Sequence, residues 1–430
     1  MQLPLASCNA CGVMCYSDTI LLSAFSPNRY LFIAERTFSV VLVRLLILLY
    51  FCLSSTLLYA SDDEMDTERT ATLDFLLERA ISRNLISGGV LVVGNHQGIL
   101  YTTARGRITS NPDAPDLNEH TLFDVASLTK VIATAPAVMK LLENGQLSLM
   151  DSITRWFPEF TGSGREDITI LNLLTHTTGL DDIYIPLEDP MKIAIQKTSL
   201  QEKWKRPGNK FKYADINFIL LGELVRRISG STLDAFCHEQ LFLPLAMRDT
   251  MFLPMQERAE GIAPTSTGPN DYFRGVVQDG NARKLGGVAG HAGIFSSASD
   301  ISRFARMMLG KGELEGKRLF SERVITQMIA PYFYSTGNIV RGLGWDIESP
   351  YSAPKGTFFS DMSFGHTGYS GSSIWIDPQR DLFVILMTTR LDYRDIKQFN
   401  RFRSDISTLA VAAFWSDVTV HIPNKTSISP

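Results

Sequence analysis

Phe123-Asp124-Val125-Ala126-Ser127-Leu128-Thr129-Lys130 places a serine hydroxyl three residues ahead of a lysine amine at the start of a helical run. Positions i and i+3 of a helix share one face, so the Lys130 amine comes to lie beside the Ser127 oxygen. Val131 to Leu142 continues apolar to a stop at Asn144-Gly145, and Pro136 inside it predicts a kink rather than an end. Composition alone produces about one or two Ser-x-x-Lys matches in a chain of this size. A second copy does stand at Ser352-Ala353-Pro354-Lys355. Pro354 disfavours helix there, which leaves Ser127 and Lys130 as the candidate nucleophile and its amine partner.

The 430 residues are 45% hydrophobic, enough for a large core, and carry a net charge of −4 with no long basic run. That balance excludes a nucleic-acid partner. The strongest compositional anomaly is Val40 to Ala60, VVLVRLLILLYFCLSSTLLYA, which follows Arg36 and precedes Ser61-Asp62-Asp63-Glu64. A basic flank, an apolar stretch and a small residue at the end are the layout of a secretory signal, so an exported protein is expected, periplasmic or extracellular. Membrane attachment through residues 40–59 is the alternative, with Arg44 snorkelling. Phe51 before Cys52 removes the small residue that a lipidation site needs. Residues 1–60 are therefore an extension plus a signal or anchor, and 61–430 the folded domain. Cys8, Cys11 and Cys15 precede that segment without a fourth ligand nearby, and beyond Ala60 only Cys237 remains. The mature chain can form no internal disulfide, and its core must hold it.

Thr67 to Asn84 has the apolar period of an amphipathic helix. Val90 to Val93 and Ile99 to Thr103 flank the polar turn Gly94 to Gly98, a β-hairpin pattern. Ile168 to Leu174, Asn217 to Ile228 and Leu233 to Leu241 read as helices. Gly342 to Ile347, Ser372 to Ile376 and Leu382 to Met387 read as late strands, the last two joined by Asp377 to Asp381, and Ile396 to Phe414 reads as a closing helix. Strands at both chain ends share one core only if they meet in one antiparallel sheet covered by helices. The expected fold class is thus α/β (α+β), with a helix-rich insertion at about 131–310.

Two further segments carry chemistry: Tyr213-Ala214-Asp215, just before a helix, and His366-Thr367-Gly368-Tyr369, just before a strand. In this order and spacing, with Leu173 to Leu180, Gly286 to Gly293 and Trp375 to Pro378, the chain resembles the serine penicillin-recognising enzymes. The similarity is to their class C β-lactamase branch, which includes D-alanyl-D-alanine peptidases and esterases, and it covers roughly Leu73 to Trp415.

The resemblance implies a β-lactamase/transpeptidase-like fold and an acyl-enzyme mechanism without cofactor. A serine is a poor nucleophile until a base takes its proton. Ser127 is expected to attack a carbonyl, with Lys130 assisting and Tyr213 passing the proton to the leaving group. The backbone N–H groups of Ser127 and Tyr369 are expected to hold the oxyanion. His366, Thr367 and Gly368 are expected to bind substrate, and His176 and His291 to be structural hydrogen-bonders. No histidine pair has metal-ligand spacing on a helix, so no metal is expected.

One departure is informative. The family pattern has Asn where this chain has Asp215, and an ionised carboxylate only accepts hydrogen bonds. Asp215 is expected to hold Lys130 protonated, to favour Tyr213 as the base and to disfavour β-lactams bearing an acylamido chain. His366 in place of the family's lysine removes a fixed charge and widens the substrates to esters and amides without a carboxylate. The leading reading is an exported D-alanyl-D-alanine carboxypeptidase-like hydrolase of peptidoglycan peptides. A β-lactamase and a carboxylesterase share its chemistry. A catalytically silent penicillin-binding sensor is the rival class, against which the presence of Ser127, Lys130 and Tyr213 argues.

Overall fold

The computed structural model describes residues 69–415 apart from 203–205, 256–260, 269–270, 336–338, 350, 352 and 392. The signal or anchor reading of residues 40–60, the cysteines before it and Ser352 lie outside the described residues. Among the described residues no helix is long and apolar enough to cross a membrane.

The frame is an eight-stranded antiparallel sheet drawn from both ends of the chain. Its strands are β1 (Ile86–Gly94), β2 (Ile99–Gly106), β3 (Phe333–Ser335), β4 (Ile339–Arg341), β5 (Asp346–Glu348), β6 (Phe364–Thr367), β7 (Ser373–Asp377) and β8 (Leu382–Arg390), in the order β3-β4-β5-β6-β7-β8-β1-β2. β1 pairs with β8 through Val90↔Met387, Leu91↔Leu386 and Val92↔Ile385, which welds early strands to late ones.

Both β1 and β8 are buried along their whole length because two cores sandwich the sheet. Side chains alternate between faces at period two. Val90, Val92, Phe383, Ile385 and Met387 enter the larger core, whereas Leu91, Val93, Val384 and Leu386 enter the smaller one. The smaller core is closed by the helix at 69–82 (α1), through Leu73, Leu77 and Ala80, and by the terminal helix Ile396–Phe414, through Phe399, Ile406 and Ala410. The opposite face carries Ala298–Leu309, which buries Ile301, Phe304 and Ala305 and packs on β1 and β8. That helix, at the end of the expected 131–310 insertion, therefore covers the sheet.

The hairpin turn forms as its residues dictate, with the Asn95 side chain accepting from the N–H groups of Gln97 and Gly98. Asp377 closes the β7–β8 turn by accepting from Gln379 and Arg380. One expected strand breaks. Residues 342–345 form a turn between β4 and β5, closed by the Gly342 N–H on the Trp345 carbonyl at 3.0 Å. Two glycines there supply no side chains to hold a ladder. The insertion also contains strands. Ile294–Ser296 pairs with Phe123–Asp124 on one side and Met251–Phe252 on the other. This small sheet fixes the approach to Ser127.

Candidate active site

The nucleophile turn begins at Ala126, a non-glycine residue held at φ +46°. That left-handed conformation is strained for an L-residue, and the surroundings must impose it. A 3-10 turn (Ala126–Leu128), a π-helical turn (Lys130–Thr134) and helix α2 (Ala135–Glu143) follow. Pro136 thus sits in the first turn of α2. The kink expected there takes the form of a π turn, with the Ala135 N–H reaching the Lys130 carbonyl, because proline cannot donate to the residue four back. Ser127 is half-buried and Lys130 fully buried.

Three acceptors surround the Lys130 ammonium: Ser127 Oγ at 3.0 Å, the His291 carbonyl at 3.0 Å and Asp215 Oδ1 at 2.8 Å. The ammonium donates to the first two and makes an ion pair with the third. Burial by itself lowers the Lys130 pKa, but the neighbouring Asp215 carboxylate outweighs it and the net shift is upward. The carboxylate is correspondingly held below its usual range, burial raising it and Lys130 lowering it further.

Tyr213 stands in the loop before helix α3 (Asp215–Ser229), with its ring 5.2 Å from the Lys130 ammonium. Burial pushes this phenol up despite the ammonium. His176 stacks on the ring, with centroids 4.5 Å apart and planes at 24°. The His176 Nδ1 accepts from the Ala214 N–H, which pins the tyrosine loop, and burial followed by Arg341 keeps the imidazole neutral. His176, expected only as a structural group, is therefore the platform of Tyr213.

β6 supplies the opposite wall. His366 lies 6.0 Å from the Tyr213 ring and donates Nδ1–H to the Thr367 carbonyl. Burial, Arg341 and Lys130 hold its pKa at about 3, so it is uncharged at neutral pH. Gly368 packs so closely on the nucleophile turn that a Cβ would lie 2.4 Å from the Val125 carbonyl oxygen. Only glycine permits this approach of the end of β6 to the nucleophile turn. The exposed Tyr369 ring lies tilted against Tyr393, with centroids 5.2 Å apart.

The structure thus sets Ser127 and Asp215 on the Lys130 ammonium with the Tyr213 ring beside it, His366 against Tyr213 and Gly368 against the nucleophile turn. The second Ser-x-x-Lys copy goes elsewhere: Lys355 binds the Ile347 carbonyl and Glu348.

Asp279 was not foreseen. Its Oδ1 meets His291 Nε2 at 2.8 Å, while the His291 carbonyl receives Lys130. Gly290 makes this possible, because a Cβ there would strike the Phe218 carbonyl at 2.0 Å. Only the Gly-rich stretch 286–293 hinted at such close packing. Asp215, Asp279 and His291 bring ligand atoms within 4.8 Å of one another, a set that a metal could in principle use. The Lys130 cation 2.8 Å from Asp215 opposes a metal there.

A fold of this order with a Ser-Lys-Tyr cleft defines a serine acyl-transfer enzyme. The beta-lactamase family model matches residues 74–404, and the chain belongs to that family. It is a serine hydrolase. An N-acetylmuramyl-L-alanine amidase of Bacillus subtilis is 28% identical over 415 residues, covering 87% of this chain and 90% of its own length. An Escherichia coli protein with a provisional D-alanyl-D-alanine carboxypeptidase name is 27% identical over 369 residues, covering 76% and 83%. A class C beta-lactamase of known structure superposes with a TM-score of 0.67 at 20% identity, covering 82% of this chain and 98% of its own, which shows a shared fold.

Proposed function

We propose that the chain hydrolyses an amide bond in cell-wall peptides through an acyl-enzyme on Ser127. The observation that carries this is the Lys130 ammonium set between Ser127 Oγ and Asp215, with the Tyr213 ring 5.2 Å from the ammonium. Two hydrogen-bond acceptors and the Asp215 carboxylate hold Lys130 as a cation, so the proton of Ser127 passes to Tyr213 once the Lys130–Tyr213 pair has lost one proton. The lysine then stabilises the developing charge. Ser127 Oγ bonds to the carbonyl carbon, the amide C–N bond breaks, and Tyr213 returns the proton to the leaving amine. Water enters by the same path in reverse. The names of the relatives support a peptidoglycan substrate, and cleavage of a terminal D-alanine is the first form of this reading.

A second form follows from one feature of the site. His366 is neutral, so β6 offers no fixed charge to the carboxylate of a departing D-alanine. An internal amide whose leaving amine carries no adjacent terminal carboxylate fits better, and the bond joining a muramyl lactyl group to L-alanine is of that kind. Export is part of the proposal, supported by the apolar run at 40–60. Cell fractionation tests it, and recovery of the uncleaved chain in the cytosol alone would sink it.

The test of substrate is to mix the folded domain with a muramyl pentapeptide and analyse the products by chromatography and mass. Release of D-alanine supports the carboxypeptidase form, release of an L-alanine-headed peptide the amidase form. Loss of neither, with full labelling of Ser127 by a fluorophosphonate, would reject cell-wall peptides while leaving the serine hydrolase intact.

A further inference from the structure

We propose that Asp124 is a positioning residue whose ionised carboxylate locks three catalytic segments together: the nucleophile turn, the loop at 278–291 and the turn after β6. Asp124 is 2% exposed and touches none of the reacting atoms. Its Oδ1 accepts from the Ala126 N–H at 2.8 Å, holding the residue whose positive φ presents Ser127. Its Oδ2 accepts from the Gln278 N–H at 2.6 Å. The next residue, Asp279, binds His291, whose carbonyl receives Lys130. The Asp124 main-chain oxygen accepts from Ser370 Oγ at 2.6 Å, adjoining the Tyr369 amide. One residue therefore connects to the nucleophile, the lysine and the oxyanion site.

The chemistry demands the charged form. Each carboxyl oxygen faces a backbone N–H, and a carboxylate accepts at both. A protonated acid or an amide turns a donor toward one of them and breaks that link. The charge is maintained at a cost: burial raises the Asp124 pKa to about 6, the Gln278 and Ala126 amides oppose that shift, Asp279 adds to it and Arg283 subtracts. Tyr393 also faces it. His176 and His366 are held well below this range and do not titrate there. The lock therefore closes as pH rises through about 6.

The experiment is Asp124→Asn in the full chain, read by fluorophosphonate labelling of Ser127 and by kcat and KM on the best substrate found. At pH 8 we expect labelling and kcat to fall about 10- to 100-fold with KM within about threefold, as misplacement of reacting groups does. Between pH 5 and 7 the wild-type rate should fall one proton more steeply than that of the variant. Ser370→Ala should lower the rate and keep the steep limb, since the carboxylate is untouched. Wild-type labelling by D124N at pH 8, or the same steep limb in both proteins, overturns the proposal. If D124N does not fold, the wild type decides. A steepening near pH 6 with unchanged near-ultraviolet circular dichroism supports the lock, and its absence overturns it. Labelling needs no natural substrate, so this outcome is independent of which amide the enzyme cleaves.

Discussion

Asp215 stands where a neutral amide is expected in this family, and a single carboxylate changes both the charge and the recognition chemistry of the cleft. It sits 2.8 Å from Lys130 and is the main cause of the lysine's raised pKa. In the proposed mechanism the Lys130–Tyr213 pair loses a proton before Ser127 does, so acylation should accelerate as pH rises above neutrality. Asp215→Asn removes the cause, lowers the pKa of the pair and moves that limb to lower pH. The variant also regains a donor for a substrate carbonyl. Its acylation by an acylamido β-lactam at pH 7 should rise about tenfold or more, measured by intact mass; an unchanged or lower rate would count against this role. His366→Lys should restore a fixed cation on β6. We expect KM for carboxylate-terminated peptides to fall about tenfold, the effect of one charge-assisted hydrogen bond, with little change for neutral esters. Ser127→Ala should abolish labelling and lower the melting temperature by only a few degrees, because the half-buried hydroxyl packs no core but accepts from the buried Lys130 ammonium.

At the scale of elements, the nucleophile turn and the end of β6 meet through a contact that allows no added atom. Gly368→Ala would drive a Cβ against the Val125 carbonyl, and a backbone atom cannot swing aside. The expected cost is about 1–3 kcal/mol in stability from overpacking, together with at least a tenfold loss of acylation rate as β6 moves off Ser127. Thermal melts and labelling kinetics on the same preparation check both, and normal kinetics in a folded variant would show that the close approach is dispensable. The elements that periodicity identified are the long amphipathic ones: the terminal helix spans Ile396–Phe414 as read, and Asn217 to Ile228 extends by a turn or less at each end. Gly342 to Ile347 misled because Leu343, Trp345 and Ile347 alternate as in a strand while the intervening glycines turn the chain. The π turn before Pro136 was likewise invisible, since proline signals a disruption and tertiary packing decides its form.

For the whole molecule, the joining of β1 to β8 is what makes one enzyme from the two ends of the chain. Leu386 is 1% exposed in the smaller core and pairs in register with Leu91, away from the cleft. Leu386→Ala should cost about 2–5 kcal/mol, the range for a buried leucine, while activity per folded molecule at 25 °C stays within about twofold. Denaturant titration with active-site counting separates the two effects, and a selective loss of activity would show that sheet and cleft are coupled. The amino-acid sequence alone determined the family, the fold class and the helices and strands with strong periodicity, and it singled out Ser127, Lys130 and Tyr213 as candidates, because short-range spacing and hydrophobic period are written along the chain. Only the tertiary structure decided that Asp279 supports His291, that His176 carries the Tyr213 ring, that Asp124 joins three segments and that His366 is uncharged. Those properties depend on burial and on hydrogen bonds between residues far apart in the chain, and no local pattern encodes which distant backbone amide will face a given carboxylate.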